Sequence, residues 1–376
     1  MVGVPQGIED DRGDLSDELT NSRTYPFTKT MRYLERFFMN FLIVGLGSMG
    51  KRRIRCLQSL GFTDIFGFDL REDRRAEADE KYAIKTFSDI DDALTESKPT
   101  ALIISVPPDI HHIYMEMAIE KGLHFFVEAS VVDTNMDSIK EKLKESTIVA
   151  APSSTVIFHP AMKLIQEIIN TNTLGKISNI IYHAGQYLPD WHIYEKVRDY
   201  YVSNPATGGA REIVPFELSW FTKVFGFPKK VCGNVRKTID IEGAENIDDT
   251  YNFLLDYNEF LATFTVDVVS RCATRRLLIN GDEGQLRWSW DENYLRLFDP
   301  ARNKWEERPY EITSAEPGYN ANIAENMYVD ELNAFIQAIE GKKAFVNSME
   351  NDHNVLKLLY AIEHADRAST YIRFEA

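Results

Sequence analysis

The chain has 376 residues, 44% of them hydrophobic and 12% aromatic, enough apolar material for a large core and enough length for two domains. Its 42 basic and 58 acidic residues give a formal net charge of −16, so no basic excess exists to neutralise the phosphates of a nucleic acid or an anionic membrane. Three widely spaced cysteines, Cys56, Cys232 and Cys272, fit neither a disulfide framework nor a zinc site and point to a reducing, cytoplasmic setting.

Residues 1–38 read as an acidic extension. Glu9, Asp10, Asp11, Asp14, Asp17 and Glu18 crowd it, large apolar side chains are few, and poor order is expected. Met31 and Met39 offer alternative starts. No apolar run is long enough to span a membrane. The run 37–49, preceded by Arg32 and Arg36, has the look of a short signal-peptide core, but it leads into a glycine-rich turn that its removal would destroy.

From residue 39 the pattern is regular. FLIVG (41–45) reads as a buried strand, KRRIRCLQSL (51–60) as a helix ended by Gly61, and DIFGFD (64–69) as a second strand. Residues 71–82 are helical in pattern. AIKTF, DIDDALTE and ALIISV (101–106) follow as strand, helix and strand, then a helix over 109–121 and the strand LHFFVEA. TIVAAP (147–152) adds a last strand. Apolar strands alternating with helices imply a parallel, doubly wound sheet over 39–153.

Residues 154–376 have a different texture. The helix MKLIQEIIN precedes strand-like KISNIIYHAGQYL, a polar aromatic loop and the helix ELSWFTKVF. VCGNVRKTID, TYNFLLDY, FLATFTVDVVS, RRLLINGD, GQLRWSW and YLRLFD alternate apolar and polar residues between short turns, which predicts a large, mostly antiparallel sheet with one covered face. Helices over 325–340 and 351–369 close an α/β chain made of a doubly wound parallel unit and an α+β unit. Trp288 and Trp290 alternate on one strand as packing residues. His159, His183, His353 and His364 have no ligand spacing, and no metal site is expected.

GLGSMG sets Gly45, Gly47 and Gly50 in a G-x-G-x-x-G pattern, with Ser48 and Met49 inside it, between a strand and a helix. In that context the glycines allow a tight turn, close approach of backbone to a pyrophosphate, and helix–strand packing. Asp69 ends the second strand 19 residues beyond Gly50, where an acid meets ribose hydroxyls and favours NAD. Arg71, Arg74 and Arg75 follow closely and suit a 2′-phosphate, which leaves NADP open. Glu128, in FFVEASVV, stands at a buried strand end, where an unpaired carboxylate is costly and so has a job or a partner.

The segment ISVPPDIHHIYMEMAIEKGLHFFVEAS resembles the glucose–fructose oxidoreductase/inositol dehydrogenase (Gfo/Idh/MocA) family. Val106-Pro107 matches the family's threonine-proline strand end, with Pro108 beside it. His111 matches its histidine, Gly122-Leu123-His124 its Gly-x-His, and Glu128 the glutamate of its Glu-Lys-Pro. GKISNI, RRLLINGDEGQL and YVDELNAFIQAIEGKK extend the resemblance to about residues 40–370. It implies an NAD(P)-dependent oxidoreductase acting on a carbinol or ketone of a sugar-like small molecule. A Rossmann domain would hold the cofactor, and a C-terminal open sheet would carry the substrate pocket and a dimer or tetramer interface. GQYLPDW followed by R-D-Y-Y resembles members associated with surface-glycan pathways.

Two departures stand out. The family lysine is Ala129, with Ser130 after it, and in the stretch 207–226 Phe216 takes the position of the active-site histidine while Ile213 and Ser219 take those of the flanking acids. Hydride transfer from a carbinol still needs a group that accepts the hydroxyl proton. Candidates lie in two clusters, Arg211, Glu212 and Glu217, and Tyr187, Asp190, Trp191, His192, Lys196, Arg198 and Tyr200. Glu212, Glu217 and His192 are the expected proton carriers. Tyr187, Asp190, Trp191, Arg198 and Arg211 are the expected substrate contacts, with Arg198 or Arg211 as an anion clamp. Structural alternatives stay open: Glu217 at a helix start complementing the dipole, an Arg211–Glu212 bridge, and His192 packed beside Trp191. At the level of function, the alternatives are a cofactor-binding sensor or partner subunit without turnover, and an epimerase or lyase that recycles tightly held NAD.

Overall fold

The computed structural model describes residues 39–192, 195–313 and 324–376; the acidic extension and Met31 lie outside them. The first sheet consists of β1 (Phe41–Val44), β2 (Ile65–Phe68), β3 (Lys85–Phe87), β4 (Ala101–Ile104), β5 (His124–Val127) and β6 (Ala150–Pro152). All its pairings are parallel and its order is β3-β2-β1-β4-β5-β6. Strand order reverses between β1 and β4, so a ligand crevice opens there at the carboxyl ends of the strands. Every residue of β1 and β4 is buried, because helices cover both faces; this is why both read as unbroken apolar runs.

Those helices include α1 (Ser48–Ser59), α2 (Glu72–Tyr82), α3 (Ile90–Ser97), α4 (His111–Glu120) and α5 (Met136–Lys144). The sequence reading gave no helix over α5. Only Met136 and Ile139 are buried in it, and its lysines and acids face outward, so its apolar stripe is short.

The second sheet follows α6 (Pro160–Asn170), β7 (Ile177–Tyr187) and α7 (Ala210–Phe225). With β7 it comprises β8 (Lys230–Arg236), β9 (Thr250–Asp256), β10 (Leu261–Asp267), β11 (Val269–Gly281), β12 (Gln285–Ser289), β13 (Tyr294–Asp299), β14 (Lys304–Pro309) and β15 (Ile372–Arg373). Its order is β14-β13-β12-β11-β7-β10-β9-β8-β15. All neighbours are antiparallel except β7 and β10, which run parallel and share the centre. One face packs on α6 and α7: Ile180, Tyr182, Phe253, Phe264 and Leu277 join Ile165, Leu218, Trp220 and Phe221 in one core. The opposite face carries exposed Ile181 and Leu261. No helix of the described residues is long and apolar enough to cross a membrane.

Two expectations are corrected. α7 begins at Ala210, two turns before the expected start at ELSWFTKVF, and runs through Pro215. A proline in that position removes one helical N–H, a signal that argues for a boundary where there is none. The second correction concerns α8 (Glu325–Ile339) and α9 (Met349–Ala368). A division after residue 153 assigns both to the second unit. Yet Met327, Tyr328, Leu332, Phe335 and Ile336 of α8 pack with Phe41, Ile43 and Phe126 of the parallel sheet, and Met349 and Leu356 of α9 join its other face. The chain returns to its first sheet to finish it.

Asp352, in the first turn of α9, is buried, and burial raises its pKa to about 7. A carboxyl raised in the folded state binds protons that the unfolded chain releases, so its stabilisation is present below the unfolded pKa and lost as pH rises toward 7. Asp352→Asn is therefore expected to stabilise the fold above pH 7, by on the order of 2–4 kcal/mol, and to leave it nearly unchanged at pH 4, as read from thermal unfolding at the two pH values.

Candidate active site

The turn from β1 into α1 is built for close backbone approach. Gly45 has a φ of +94°, and a Cβ at Gly50 would lie 1.9 Å from the Gly45 carbonyl oxygen, so the helix closes on the strand only with glycine there. Gly47 is the N-cap, and Ser48 and Met49 open the helix, whose first-turn N–H groups have no intrahelical acceptors. Asp69, just beyond β2, ties the turn down: Oδ2 accepts from the Leu46 N–H at 2.8 Å and Oδ1 from the Arg71 N–H at 2.8 Å. The cradle and the acid fit a nicotinamide dinucleotide, with the pyrophosphate at α1 and a ribose at Asp69.

Beyond β4, Val106 and Pro107 lead into a 3-10 turn, Pro108–Ile110. His111 is buried, and its Nε2 sits 2.9 Å from the Val106 carbonyl oxygen. Burial pulls its pKa down to about 4, so the ring is neutral and shapes this loop.

Glu128 has a partner. Arg53 of α1 donates to both its oxygens, Nε to Oε1 at 2.7 Å and Nη2 to Oε2 at 2.9 Å, and the Ser105 hydroxyl lies 3.3 Å from Oε1. The buried strand-end carboxylate therefore has the partner that its position demands. Arg53 is fully buried and also meets Glu331 of α8 at 2.9 Å, while its guanidinium lies over the Phe126 ring. Glu331 in turn accepts from the Ser153 hydroxyl, the Ser154 N–H at 2.7 Å and the Thr155 hydroxyl at 2.7 Å. Burial opposes the charge on Arg53, but the two carboxylates outweigh it and its pKa is raised.

The loop between β7 and α7 reaches the same edge of the parallel sheet. Glu195 pairs with Arg71 at 3.2 Å. His192 stacks on Tyr200 at 4.7 Å, its Nδ1 lies 3.8 Å from Glu195, and burial lowers its pKa, with Arg74 and Lys51 adding to the effect. That shift works against the proton-carrying role expected of it. The loop's end is fixed by the Gly208 and Gly209 N–H groups, which donate to the Asn204 and Val202 carbonyls, and by the Ala210 N–H, which donates to Asp248.

This frame aims Glu212, in the first turn of α7, at Tyr201. The Tyr201 hydroxyl donates to Glu212 Oε1 at 2.7 Å. Oε2 is sealed from solvent and has no hydrogen-bond partner among the described residues. Burial raises the Glu212 pKa to about 7, against the pull of the Tyr201 hydrogen bond. Burial and then the Glu212 charge hold the Tyr201 hydroxyl protonated, and Glu128 is near enough to add to the effect. Tyr201, Arg53, Glu195 and Glu331 were not singled out in the sequence. Only R-D-Y-Y hinted at the tyrosine.

Other candidates lie elsewhere. Glu217 is fully buried in mid-helix, where Tyr182 (2.5 Å), Trp220 (3.1 Å) and Arg275 (2.8 Å) satisfy both its oxygens; it joins α7 to β7 and β11 and neither starts a helix nor faces the crevice. Arg211 is a buried staple, donating to Glu363 at 2.7 Å and to the Val131 carbonyl at 2.8 Å, so it neither bridges to Glu212 nor clamps an anion. Arg198 is exposed beside Glu242 at 3.5 Å. Arg271 covers the Tyr187 ring at 3.8 Å, Trp191 packs against the core of the large sheet, and Asp190 is exposed.

A glycine cradle at a topological switch point, an acid beyond β2 and a second sheet whose loop covers the crevice define a dinucleotide-dependent dehydrogenase or reductase. Residues 39–145 match the oxidoreductase family with an NAD-binding Rossmann fold, and residues 162–287 match the GFO/IDH/MocA C-terminal domain. The chain belongs to the Gfo/Idh/MocA family of NAD(P)-dependent oxidoreductases. An uncharacterized oxidoreductase of Schizosaccharomyces pombe is 20% identical over 266 residues, 66% of this chain and 68% of its own. The fold is also that of levoglucosan dehydrogenase in complex with NADH (15% identity, TM-score 0.77, 90% of this chain and 99% of that one). An oxidoreductase domain protein from Kribbella flavida is similar as well (17% identity, TM-score 0.76, 90% and 99%).

Removing one member of a buried ion network strands its partners. Arg53→Met leaves Glu128 and Glu331 without their shared cation and is expected to destabilise the fold by about 3–5 kcal/mol in denaturant unfolding.

Proposed function

We propose that the protein interconverts a carbinol and a ketone on a sugar, sugar phosphate or nucleotide sugar, with the Tyr201–Glu212 pair handling the proton. The carrying observation is that pair: a protonated tyrosine hydroxyl bonded to a carboxylate whose pKa is raised to about 7, beside the strand end that carries Glu128. A group poised near neutral pH is what general acid–base catalysis needs, and a sealed, unpartnered carboxylate oxygen is costly unless it serves a purpose.

The family's lysine and histidine are replaced by Ala129 and Phe216. The cation at Glu128 is Arg53, which is fully buried and out of reach of a substrate. Proton transfer therefore falls to the loop and α7. In oxidation, the substrate hydroxyl gives its proton to the Tyr201 oxygen while the Tyr201 proton passes to ionised Glu212. Reduction runs the same relay backwards from protonated Glu212. A bound nicotinamide supplies the hydride acceptor or donor. A sugar-like substrate is supported by the levoglucosan dehydrogenase structures of the same fold that hold levoglucosan and L-sorbose. The stretches GQYLPDW, which ends β7 and opens the covering loop, and R-D-Y-Y, within that loop, are the basis for a substrate from surface-glycan metabolism.

The test is turnover of a panel of sugars, sugar phosphates and nucleotide sugars with NAD or NADP, followed by nicotinamide absorbance. Oxidation is expected to rise with pH through about 7, as Glu212 ionises, and reduction to fall over the same range. Glu212→Gln and Tyr201→Phe are expected to lower kcat by about 100-fold or more while nucleotide binding persists. Unchanged turnover in both variants overturns the assignment of the pair.

A further inference from the structure

Three arginines follow β2, and each is already engaged. Arg75 Nη1 donates to the carbonyls of Asp69 (2.8 Å) and Leu70 (2.9 Å). Arg74 lies 3.7 Å from the Asp69 carboxylate. Arg71 pairs with Asp73 at 2.6 Å and, across 124 positions of sequence, with Glu195 at 3.2 Å. An acid at this strand end meets the ribose hydroxyls of NAD, whereas a free arginine accommodates the 2′-phosphate of NADP.

We infer that Glu195 sets the cofactor preference, holding Arg71 away from a 2′-phosphate and thereby selecting the dinucleotide with a free 2′-hydroxyl. The inference rests on the assignment of the crevice to a nicotinamide dinucleotide. Its physical content is a competition for one guanidinium. Arg71 is half exposed, but the Glu195 side chain is only 15% exposed and is backed by His192. A 2′-phosphate that drew Arg71 to itself would leave Glu195 largely shielded from water, without its cation and facing a like charge. Asp69 and Asp73 add two more carboxylates at the same place. A 2′-hydroxyl makes no such demand, since it hydrogen-bonds to Asp69 and leaves the Arg71–Glu195 pair intact.

The test is fluorescence titration of the full chain with NADH and with NADPH. The wild type is expected to bind NADH at least about tenfold more tightly. Glu195→Gln, which keeps the shape and removes the charge, is expected to tighten NADPH about tenfold and to leave NADH within about threefold. In an Arg71→Ala background the same substitution is expected to lose most of its effect on NADPH, because the guanidinium it frees is gone. Equal wild-type affinity for the two nucleotides overturns the inference, as does a Glu195→Gln effect that is the same for both or that persists without Arg71. Failure to bind either nucleotide overturns the cofactor assignment itself, and the inference with it. Thermal unfolding of each variant separates a lost preference from a lost fold.

Discussion

The molecule turns on one buried guanidinium. Arg53 stands on the helix that would receive the pyrophosphate, and it binds the glutamate at the end of β5 and the glutamate of α8 together. Glu331 also gathers the backbone and hydroxyls of the turn after β6. A single ion network thus ties the cofactor helix, the strand end nearest the chemistry and the helix that returns from the far end of the chain. Arg52 and Arg55 extend the same interface toward Glu325 at 3.4 and 3.5 Å. Buried pairs of this kind contribute little net stability against an apolar alternative, but they tolerate few arrangements. The network fixes where the crevice lies relative to α1 and β5.

That constraint engages Glu128, and the proposed proton transfer lies instead on α7 and the loop before it. Glu212 and Glu217 stand five positions apart on α7, and their fates differ for physical reasons. Glu217 faces the large sheet and finds a tyrosine, an indole and a guanidinium, so its charge is fully compensated. Glu212 faces the covering loop, has one hydroxyl donor and is otherwise desolvated, so its proton affinity rises into the physiological range. Two carboxylates on one helix are left in opposite electrostatic surroundings by what each face meets.

Much of the architecture was legible because its signals are local. The strands of the first sheet are continuous apolar runs, the cofactor turn is a glycine spacing in a strand–helix context, and β9 and β10 alternate cleanly with one face buried. Features set by distant partners were not legible. Nothing near Glu331 announces that it caps a turn 176 to 178 residues earlier, and KRRIRCLQSL, read as a helix ended by Gly61, hides the fully buried Arg53. The parallel pairing of β7 with β10 is equally silent, since alternation looks the same in either direction. The site was half readable for the same reason. Glu212 was singled out as a residue near a lost acid, while Tyr201, its hydrogen-bond partner, was passed over beside Tyr200 because adjacent tyrosines cannot be told apart until the loop is folded.

The covering loop then unites the two ends of the proposed chemistry. Glu195, near its middle, meets the arginine beside the ribose-binding acid, and Tyr201, six positions on, meets Glu212. His192, three positions before Glu195, stacks on Tyr200, and Tyr200 stands edge to face against Tyr201 at 6.1 Å. These contacts link the part of the loop that holds Glu195 to the Tyr201 hydroxyl proposed to carry the proton. In such a loop, the contact proposed to select the nucleotide and the pair proposed to carry the proton lie in one packed stretch of chain.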